Sequence, residues 1–516
     1  MKQFSCKYVI SAATGILFSA AVFAAPAPRE LHYRPDGGSS VVAMNGKVKF
    51  NRALYGAHSG FRMECSDMPE FGIYLPRMGG NLRLTLPKGD CAARYTPGRM
   101  DYSQGGVEVE AQVLRSDDAA LWALHNTTDK PVSVGFRFGG VAEKKFWREG
   151  DLGVDDPTCF DLKPEYCKGN TFAVSGDTIR VGYGAKERKT LTIVAPVKDL
   201  KVNELPAIEG VIEIPAGETR RIALFPPTSK AAVRNAAELM EKAEAERSEL
   251  ASGFGMSTPD PWLNPLGGAL AVAADGIWSG QAWLHGAIGW RTPHLGWRGA
   301  YVGDAIGWHD RARTHFNTYA SNQVTTIPPV LPQPNQDSVL NLARAEKRWG
   351  TSFYSDGYIC RRPGKMEEMS HYDMNMVYAD ALLRHFRHTG DTAAMRAFWP
   401  VIKRHLAWEK RNFDPDGDHL YDAYCCIWAS DALYYNGGAV THSSAYNHFA
   451  NKLAAEIAET IGEDPTPYRD EAEGIRKAIE SVLWLDDKGH WAEYKDLMGL
   501  QRVHDNAALW TIYHAI

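Results

Sequence analysis

The sequence has no excess of positive charge. Its 57 Lys and Arg residues are outnumbered by 62 Asp and Glu residues, which gives a formal net charge of −5 over 516 residues. Nucleic-acid-binding domains carry a concentrated positive surface. The composition therefore argues against a nucleic-acid partner.

Beyond the first 24 residues, the chain has no apolar run of the roughly 20 residues needed to cross a bilayer. Lys2 and Lys7 bracket a short positive segment, an apolar stretch follows to Phe23, and Val22-Phe23-Ala24 fits a cleavage site. This order predicts a signal peptide at residues 1–24. We therefore expect an exported, soluble protein, periplasmic or extracellular. The alternative is a buried N-terminal helix.

Metal-binding signatures are also missing, because the sequence contains neither a CxxC pair nor HExxH. The turn at Asp414, Asp416 and Asp418, with Asp422 close behind, has acidic spacing, but His419 and Cys425 occupy the Gly and Glu positions of a calcium loop. We interpret it as an acidic interhelical turn and expect no metal and no cofactor. Exported proteins keep disulfides, and Cys159 with Cys167 is the expected pair.

The sequence pattern of residues 30–226 predicts β-strands. Asn45-Gly46 separates two strand-like runs, a hairpin signal. Short alternating runs such as VEVEAQVL and VSVGFRF follow between turn residues. This spacing predicts an antiparallel β-sandwich.

The pattern becomes helical after the strands. Ser229–Leu250, within a linker at 227–258, lacks Gly and Pro and is rich in Ala, Glu and Lys, which favours a solvated helix. Residues 259–516 then contain helices in pairs, as at Asp373–His388 followed by a helix capped by Asp391. The fold class predicted is multidomain α+β: β-sandwich, linker helix and α/α toroid.

The toroid is expected to be incomplete. We count about eight helices after the linker, whereas six hairpins require twelve, and the apolar end at residues 510–516 carries no helix stop signal. We therefore expect a fragment of a longer protein. The alternative is a smaller, open helical domain.

The sequence resembles the six-hairpin glycosidases of the trehalase, glucosidase and α-L-rhamnosidase kind. The resemblance rests on DPDGDHLYD, IWASD, THSSAYNHFANKLAAEIAETIGE, PYRDEAEGIRKAIESVLW and GHWAEY, in that order. LHYRPDGG, PEFGIYLPRMGGNL and HYDMNMVYADALLRHF are similar to an uncharacterised exported family that accompanies polysaccharide degradation. The resemblance implies a carbohydrate-active enzyme.

By this resemblance Asp431 corresponds to the general acid and Trp428 to the aromatic residue beside it. An apolar pocket keeps such a carboxyl group protonated, and Asp431 lies in the apolar segment CCIWASDALYY. Trehalases have Glu-Ser-Gly-Trp-Asp where this chain has Ile-Trp-Ala-Ser-Asp, which leaves the substrate open. The alternative is that Asp431 caps a helix.

The second carboxylate is assigned to Glu367 or Glu368, or to a residue beyond Ile516. Glu367 and Glu368 precede a helix and equally fit an acidic first turn that matches the helix dipole. Further substrate-binding candidates are His371, Tyr372, Asp373, His442 and Asp422. For His371 and Asp373 the alternative is helix capping.

The segment GWRTPHLGWRGAYVGDAIGWHD at 289–310 gathers three Trp residues and five Gly residues. Rhamnosidase-like relatives carry carboxylates where this chain has Thr292, Pro293 and His294. The segment is therefore interpreted as a loop that forms one pocket wall, between helices expected from about Pro265 to Gly286 and from Asp304 to Tyr319. Trp297, Arg298 and Asp304 are its candidate sugar contacts, and packing alone is the alternative.

These observations favour a glycoside hydrolase that cleaves a plant or microbial glycan with two carboxylates, by an inverting mechanism. One alternative is a polysaccharide lyase acting on a uronate-containing glycan, and another is a glycan-binding protein without catalysis. The expected partner in each case is an oligo- or polysaccharide.

Overall fold

The computed structural model describes residues 50–75, 78–142, 148–149, 154–155, 160–184, 189–230, 235–255, 257–260, 263–264, 266–286, 291–296, 299–328, 353–364, 372–426, 433–435, 438–497 and 499–507. The hairpin predicted around Asn45-Gly46 and the signal peptide lie outside these ranges.

Two large antiparallel sheets form the first half. The seven-stranded sheet has the order β1-β2-β3-β4-β9-β16-β15. Its strands are β1 (Phe50–Tyr55), β2 (Arg62–Ser66), β3 (Glu70–Leu75), β4 (Met78–Thr85), β9 (Val132–Val141), β15 (Lys198–Val202) and β16 (Ile208–Ile214).

The eight-stranded sheet has the order β12-β13-β14-β17-β8-β7-β6-β5. Its strands are β5 (Ala92–Thr96), β6 (Arg99–Gln104), β7 (Val107–Leu114), β8 (Ala119–Asn126), β12 (Thr171–Ser175), β13 (Thr178–Tyr183), β14 (Lys189–Val194) and β17 (Thr219–Phe225). A separate two-stranded ribbon pairs β10 (Arg148–Glu149) with β11 (Val154–Asp155).

The core of this half lies between the two sheets. Side chains that alternate along the strands point into one shared cluster, which includes Leu82 and Phe136 from one sheet and Val109 and Trp122 from the other. Phe71 packs edge-on against Trp122, with ring centroids 5.4 Å apart. The predicted antiparallel strands are confirmed.

Helix α1 (Ala236–Ser252) covers part of the outer face of the eight-stranded sheet. The Asn235 side chain caps it by accepting a hydrogen bond from the Ala237 N–H. Leu239, Met240 and Ala243 pack on sheet residues that include Leu121. The expected solvated helix therefore has one apolar face that is buried.

Seven α-helices follow α1 in the described ranges: α2 (Leu266–Gly276), α3 (Gly299–Ala305), α4 (His309–Ala320), α5 (Met374–Thr389), α6 (Thr392–Phe413), α7 (Thr441–Ile461) and α8 (Thr466–Ala478). Short strands lie among them: β18 (Cys425–Cys426), β19 (Leu433–Tyr434), β20 (Trp484–Leu485), β21 (His490–Trp491), β22 (Tyr494–Lys495) and β23 (Val503–His504). None of the described helices combines the length and the apolar character needed to cross a membrane.

The helices form hairpins with tight connections at one end only. Two to four residues join α5 to α6 and α7 to α8, and three join α3 to α4, whereas long segments connect one hairpin to the next. The first helices of the hairpins, α3, α5 and α7, pack in a row, and α5 and α7 are the most buried. Consequently, the long segments gather at the end where α5 and α7 begin.

The structure corrects three details of the sequence interpretation. The helix predicted over 304–319 is two helices, because Gly307 adopts a left-handed φ of 81° between them. The helix predicted from Pro265 to Gly286 ends at Gly276. Cys167 is a buried free thiol, so the expected disulfide is not formed.

A buried carboxylate joins the strand half to the helical half. Asp275, in the last turn of α2, is 1% exposed and forms ion pairs with Arg115, which follows β7, and with Arg311 of α4 at 2.8 Å. Burial would raise the pKa of Asp275, but the contacts with His58, Arg115 and Arg311 outweigh it and lower the pKa to about 2. The Asp275 carboxylate is therefore ionised in the folded protein near neutral pH.

Replacing Asp275 with Asn is expected to lower the free energy of unfolding at pH 7 by about 2 kcal/mol. This is the free energy that corresponds to lowering a pKa from 3.8 to about 2. Because the folded pKa is depressed, this stability is present above pH 4 and is lost as the pH falls towards 2. Urea unfolding at several pH values measures the difference. Asp310→Asn, at an exposed ion pair on α4, should change little. An equal loss in both variants would contradict the prediction.

Candidate functional site

Four of the five described candidates lie at the end of the helical half where the long segments gather. Tyr372 and Asp373 come directly before α5, and His442 is the second residue of α7. Asp422 lies in the segment between α6 and α7, and all four side chains are buried. The structure therefore brings together four residues that span 70 positions of the sequence, from Tyr372 to His442.

Hydrogen bonds tie the segment after α6 to the start of α5. The Tyr424 backbone N–H donates to the Tyr372 hydroxyl oxygen at 2.7 Å, and the Tyr424 hydroxyl donates to the Asp422 carboxylate at 3.0 Å. The Tyr372 ring stacks with Phe353 and Phe413, with centroids 4.9 and 5.1 Å apart. These contacts fix Tyr372 and Asp422 as parts of one rigid cluster.

The start of α7 is held against the same segment. The Val440 N–H donates to the Tyr421 carbonyl at 3.0 Å, and the Ser444 hydroxyl accepts from the Tyr421 N–H at 2.9 Å. The His442 ring packs beside Tyr435, with centroids 5.7 Å apart. His442 is therefore positioned by its helix and by an aromatic neighbour.

Asp373 occupies the N-cap position of α5, yet its side chain makes no capping hydrogen bond. The local capping role that was the alternative for this residue is therefore not observed. Its carboxylate is 3% exposed and close enough to Glu409 to raise the pKa of that group.

Glu409 of α6 is the main residue that the sequence analysis missed. Burial raises the pKa of Glu409 to about 8. A 3.4 Å hydrogen bond from the Asn447 amide opposes this rise, and the nearby Asp373 adds to it. His405, whose Nε2 is 3.7 Å from the carboxyl group, is also buried, and its pKa is lowered to about 3. Both groups are therefore neutral at pH 7, so this contact is not an ion pair.

The sequence did contain a signal for this pair. Ile402, His405, Leu406, Glu409 and Phe413 recur at helical spacing and are all buried. A carboxyl group on an otherwise apolar helix face indicates a protonated or partnered buried acid.

The tryptophan-rich segment reaches this end through Gly296. A β-carbon at Gly296 would overlap the carbonyl oxygen of Met374, the first residue of α5. Only glycine allows this close approach. The described part of the segment therefore contacts the helix start beside Asp373, although residues 299–305 form helix α3 and not a loop.

Asp304 is not part of this cluster. It accepts hydrogen bonds from Nδ1 of His309 at 2.8 Å and Nδ1 of His385 at 2.9 Å, and His385 is in the last turns of α5. Twelve helical residues separate Asp373 from His385, which is about 18 Å. Burial favours a higher pKa for Asp304, but the two histidines outweigh it and lower the pKa. Its predicted sugar contact therefore lies apart from the other candidates.

Seven predicted residues lie outside the described ranges, and the structure adds nothing about them. They are Asp431, Glu367, Glu368, Trp428, His371, Trp297 and Arg298.

The acidic turn after α6 contributes a second cluster of carboxylates. Asp414 lies within 4.8 Å of Asp416 and Asp418 and, on its other side, of His419 and Glu471, measured between donor atoms. Lys410 pairs with Glu471, and the Tyr421 hydroxyl donates to it at 3.0 Å. Burial and Glu471 raise the pKa of Asp414 to about 6. Asp422 is directed to Tyr424 and not into this turn.

Comparisons with known proteins address the fold. Residues 75–257 match the model of a domain of unknown function, DUF4450. A comparison with curated protein sequences finds no match. A bacterial glucoamylase solved in complex with acarbose aligns over 91% of this chain and 74% of its own, with 10% identity and a TM-score of 0.53.

The fold is similar to that of this glucoamylase. At 10% identity the likeness concerns the fold alone. Other structural neighbours are a family GH92 α-mannosidase from Bacteroides thetaiotaomicron (10% identity, 90% of this chain and 68% of that chain, TM-score 0.39) and a family GH78 rhamnosidase from a Bacillus species (11%, 78% and 36%, 0.38). All three of these structures are of glycoside hydrolases.

Proposed function

We propose that this protein is an exported glycoside hydrolase that cleaves a plant or microbial glycan by acid/base catalysis with two carboxylates and inversion. The observation that carries the proposal is the buried polar cluster of Tyr372, Asp373, Glu409, Asp422 and His442, at the end of a helical array whose fold is similar to that of a glucoamylase.

This cluster suits a glycosidase because it combines carboxyl groups, hydroxyls and aromatic rings. Glycoside cleavage requires one carboxyl group that is protonated and another that is ionised near neutral pH. The pKa of about 8 at Glu409 indicates that this end of the helices is dry enough to keep a carboxyl group protonated. An acid placed beside it would experience a similar environment.

In the proposal, Asp431 is the general acid and Trp428 shields it from water. Glu367 or Glu368 activates the attacking water. The sugar is bound by His371, Tyr372, Asp373, Asp422 and His442, with Trp297 and Arg298 as a wall. Asp304 is left out of this set because its hydrogen-bond partner His385 lies about 18 Å along α5 from Asp373.

The proposed division of the chain is a β-sandwich domain at 30–226, a linker at 227–258 and a catalytic-type helical domain from 259. The signal peptide at 1–24 precedes them. The change from strands to helices between β17 and α1 supports a division of the chain in this region.

The test is digestion of a panel of plant and microbial polysaccharides by the full-length protein, followed by reducing-end assay and ¹H NMR of the first product. We expect new reducing ends whose anomeric configuration is opposite to that of the bond cleaved. A product with an unsaturated, UV-absorbing end would replace the hydrolase by a lyase. Saturable glycan binding without turnover would show that the protein binds glycans and does not cleave them.

A further inference from the structure

We propose that Asp304, His309 and His385 form a binding site for one Zn²⁺ ion at the end of the helices opposite the candidate sugar site. The three residues come from α3, α4 and α5, and their donor atoms all lie within 4.8 Å of one another. Two imidazoles and one carboxylate are a donor set that zinc binds, with a fourth position left for water.

The geometry needs only a small adjustment to accept the ion. Nδ1 of His385 is 2.9 Å from both oxygens of Asp304, and Nδ1 of His309 is 2.8 Å from one of them. Donors bound to tetrahedral zinc at 2.0–2.2 Å are about 3.3–3.6 Å apart. The two Asp304–histidine contacts would therefore open by roughly half an ångström, which is within the reach of side-chain rotation.

The two deeper donors are fixed in position before any ion binds. Asp304 and His385 have side chains that are 4% and 2% exposed, and the His385 ring packs against Phe316 at 5.3 Å. His309 is 48% exposed. The cluster therefore has one solvent-facing donor through which an ion can enter, and two that are held by rigid helices.

The described cations nearby are engaged with other carboxylates. Arg311 pairs with Asp275, Arg313 with Asp310, and Arg384 with Asp380. This contrasts with the group at Asp414, His419 and Glu471, where Lys410 pairs with Glu471. Among the described residues, no lysine or arginine forms an ion pair with Asp304, so a divalent cation would not have to displace one.

Bound zinc would fasten the first hairpin, α3 with α4, to α5, because each of the three helices supplies one ligand. The expected consequence is a higher melting temperature with metal than without it, since an ion that binds only the folded state stabilises it. This inference is independent of the proposed catalytic function, and its readouts are metal binding and stability.

The experiment uses full-length protein stripped with a chelator and titrated with Zn²⁺ by calorimetry, with Co²⁺ absorption as a second readout. We expect one high-affinity zinc per chain and Co²⁺ bands typical of four ligands. His309→Ala, at the exposed ligand, should fold normally and weaken binding by about 100-fold or more. His388→Ala removes an exposed histidine of α5, the helix that carries His385, and should bind zinc as the unmodified protein does.

Asp304→Asn gives a second variant that should also lose zinc affinity, and circular dichroism shows whether it is folded. The proposal is overturned if the unmodified protein takes up no zinc. It is equally overturned if His309→Ala keeps full affinity, because the ion would then be bound elsewhere.

Discussion

Asp431→Asn is expected to lower kcat on a natural glycan by about 10²–10⁴-fold, the usual effect of removing a general acid. Asparagine keeps the size of the side chain but cannot donate a proton to the departing sugar oxygen. KM should change far less than kcat, since the lost interaction is made in the transition state. The measurement is steady-state kinetics on the glycan identified by the digestion panel.

Two further measurements separate an acid from a residue that only supports the fold. Glycosides with an activated aryl leaving group need little protonation, so the variant should lose much less rate on them. The basic limb of the pH–rate profile should also disappear. Asp416→Asn, at an exposed carboxylate in the segment between α6 and α7, is the matched control and should retain its rate. Near-normal hydrolysis of the natural glycan by Asp431→Asn would exclude Asp431 as the acid.

Glu409→Gln is expected to remove a large pH dependence of stability. The folded-state pKa of Glu409 is raised from 4.5 to about 8, mainly by burial. The favourable contribution is therefore complete below pH 4.5 and is lost as the pH rises to 8. Over that interval the free energy of unfolding should fall by as much as roughly 5 kcal/mol. Glutamine stays neutral, so the variant should lack this decline.

Chemical unfolding at pH 5, 7 and 9 measures the effect. The unmodified protein should lose stability across the series, and Glu409→Gln should be the more stable of the two at pH 9. Glu459→Gln, an exposed residue of α7 whose ion pair with Arg469 is loose at 3.7 Å, should follow the unmodified protein. Parallel curves for Glu409→Gln and the unmodified protein would show that the carboxyl group is ionised in the folded state.

Much of the local structure was predictable because its causes are local. Val107–Leu114 alternates apolar and polar residues with a period of two, and it is strand β7. Asp391 caps α6 by accepting a hydrogen bond from the Ala394 N–H, and Gly390 ends α5 with a left-handed φ of 61°. Such signals depend on neighbouring residues alone.

Predictions failed where long-range packing decides the outcome. The chain through residues 304–319 has helical periodicity, but Gly307 divides it into α3 and α4, and Trp283 packs against Gly299 and Gly303 of α3. Asp304 was grouped with the sugar contacts because it lies in the tryptophan-rich segment. Its position on α3 instead directs it to His385.

The sequence by itself determined the order of strands and helices, the caps that delimit the helices, and the glycosidase-like motifs that lead to Asp431. Only the tertiary structure placed Glu409 beside Asp373, Asp304 between two histidines and Asp275 between two arginines. The physical reason is that a carboxyl group's protonation and partners depend on burial and on charges a few ångströms away, and those neighbours lie far along the chain.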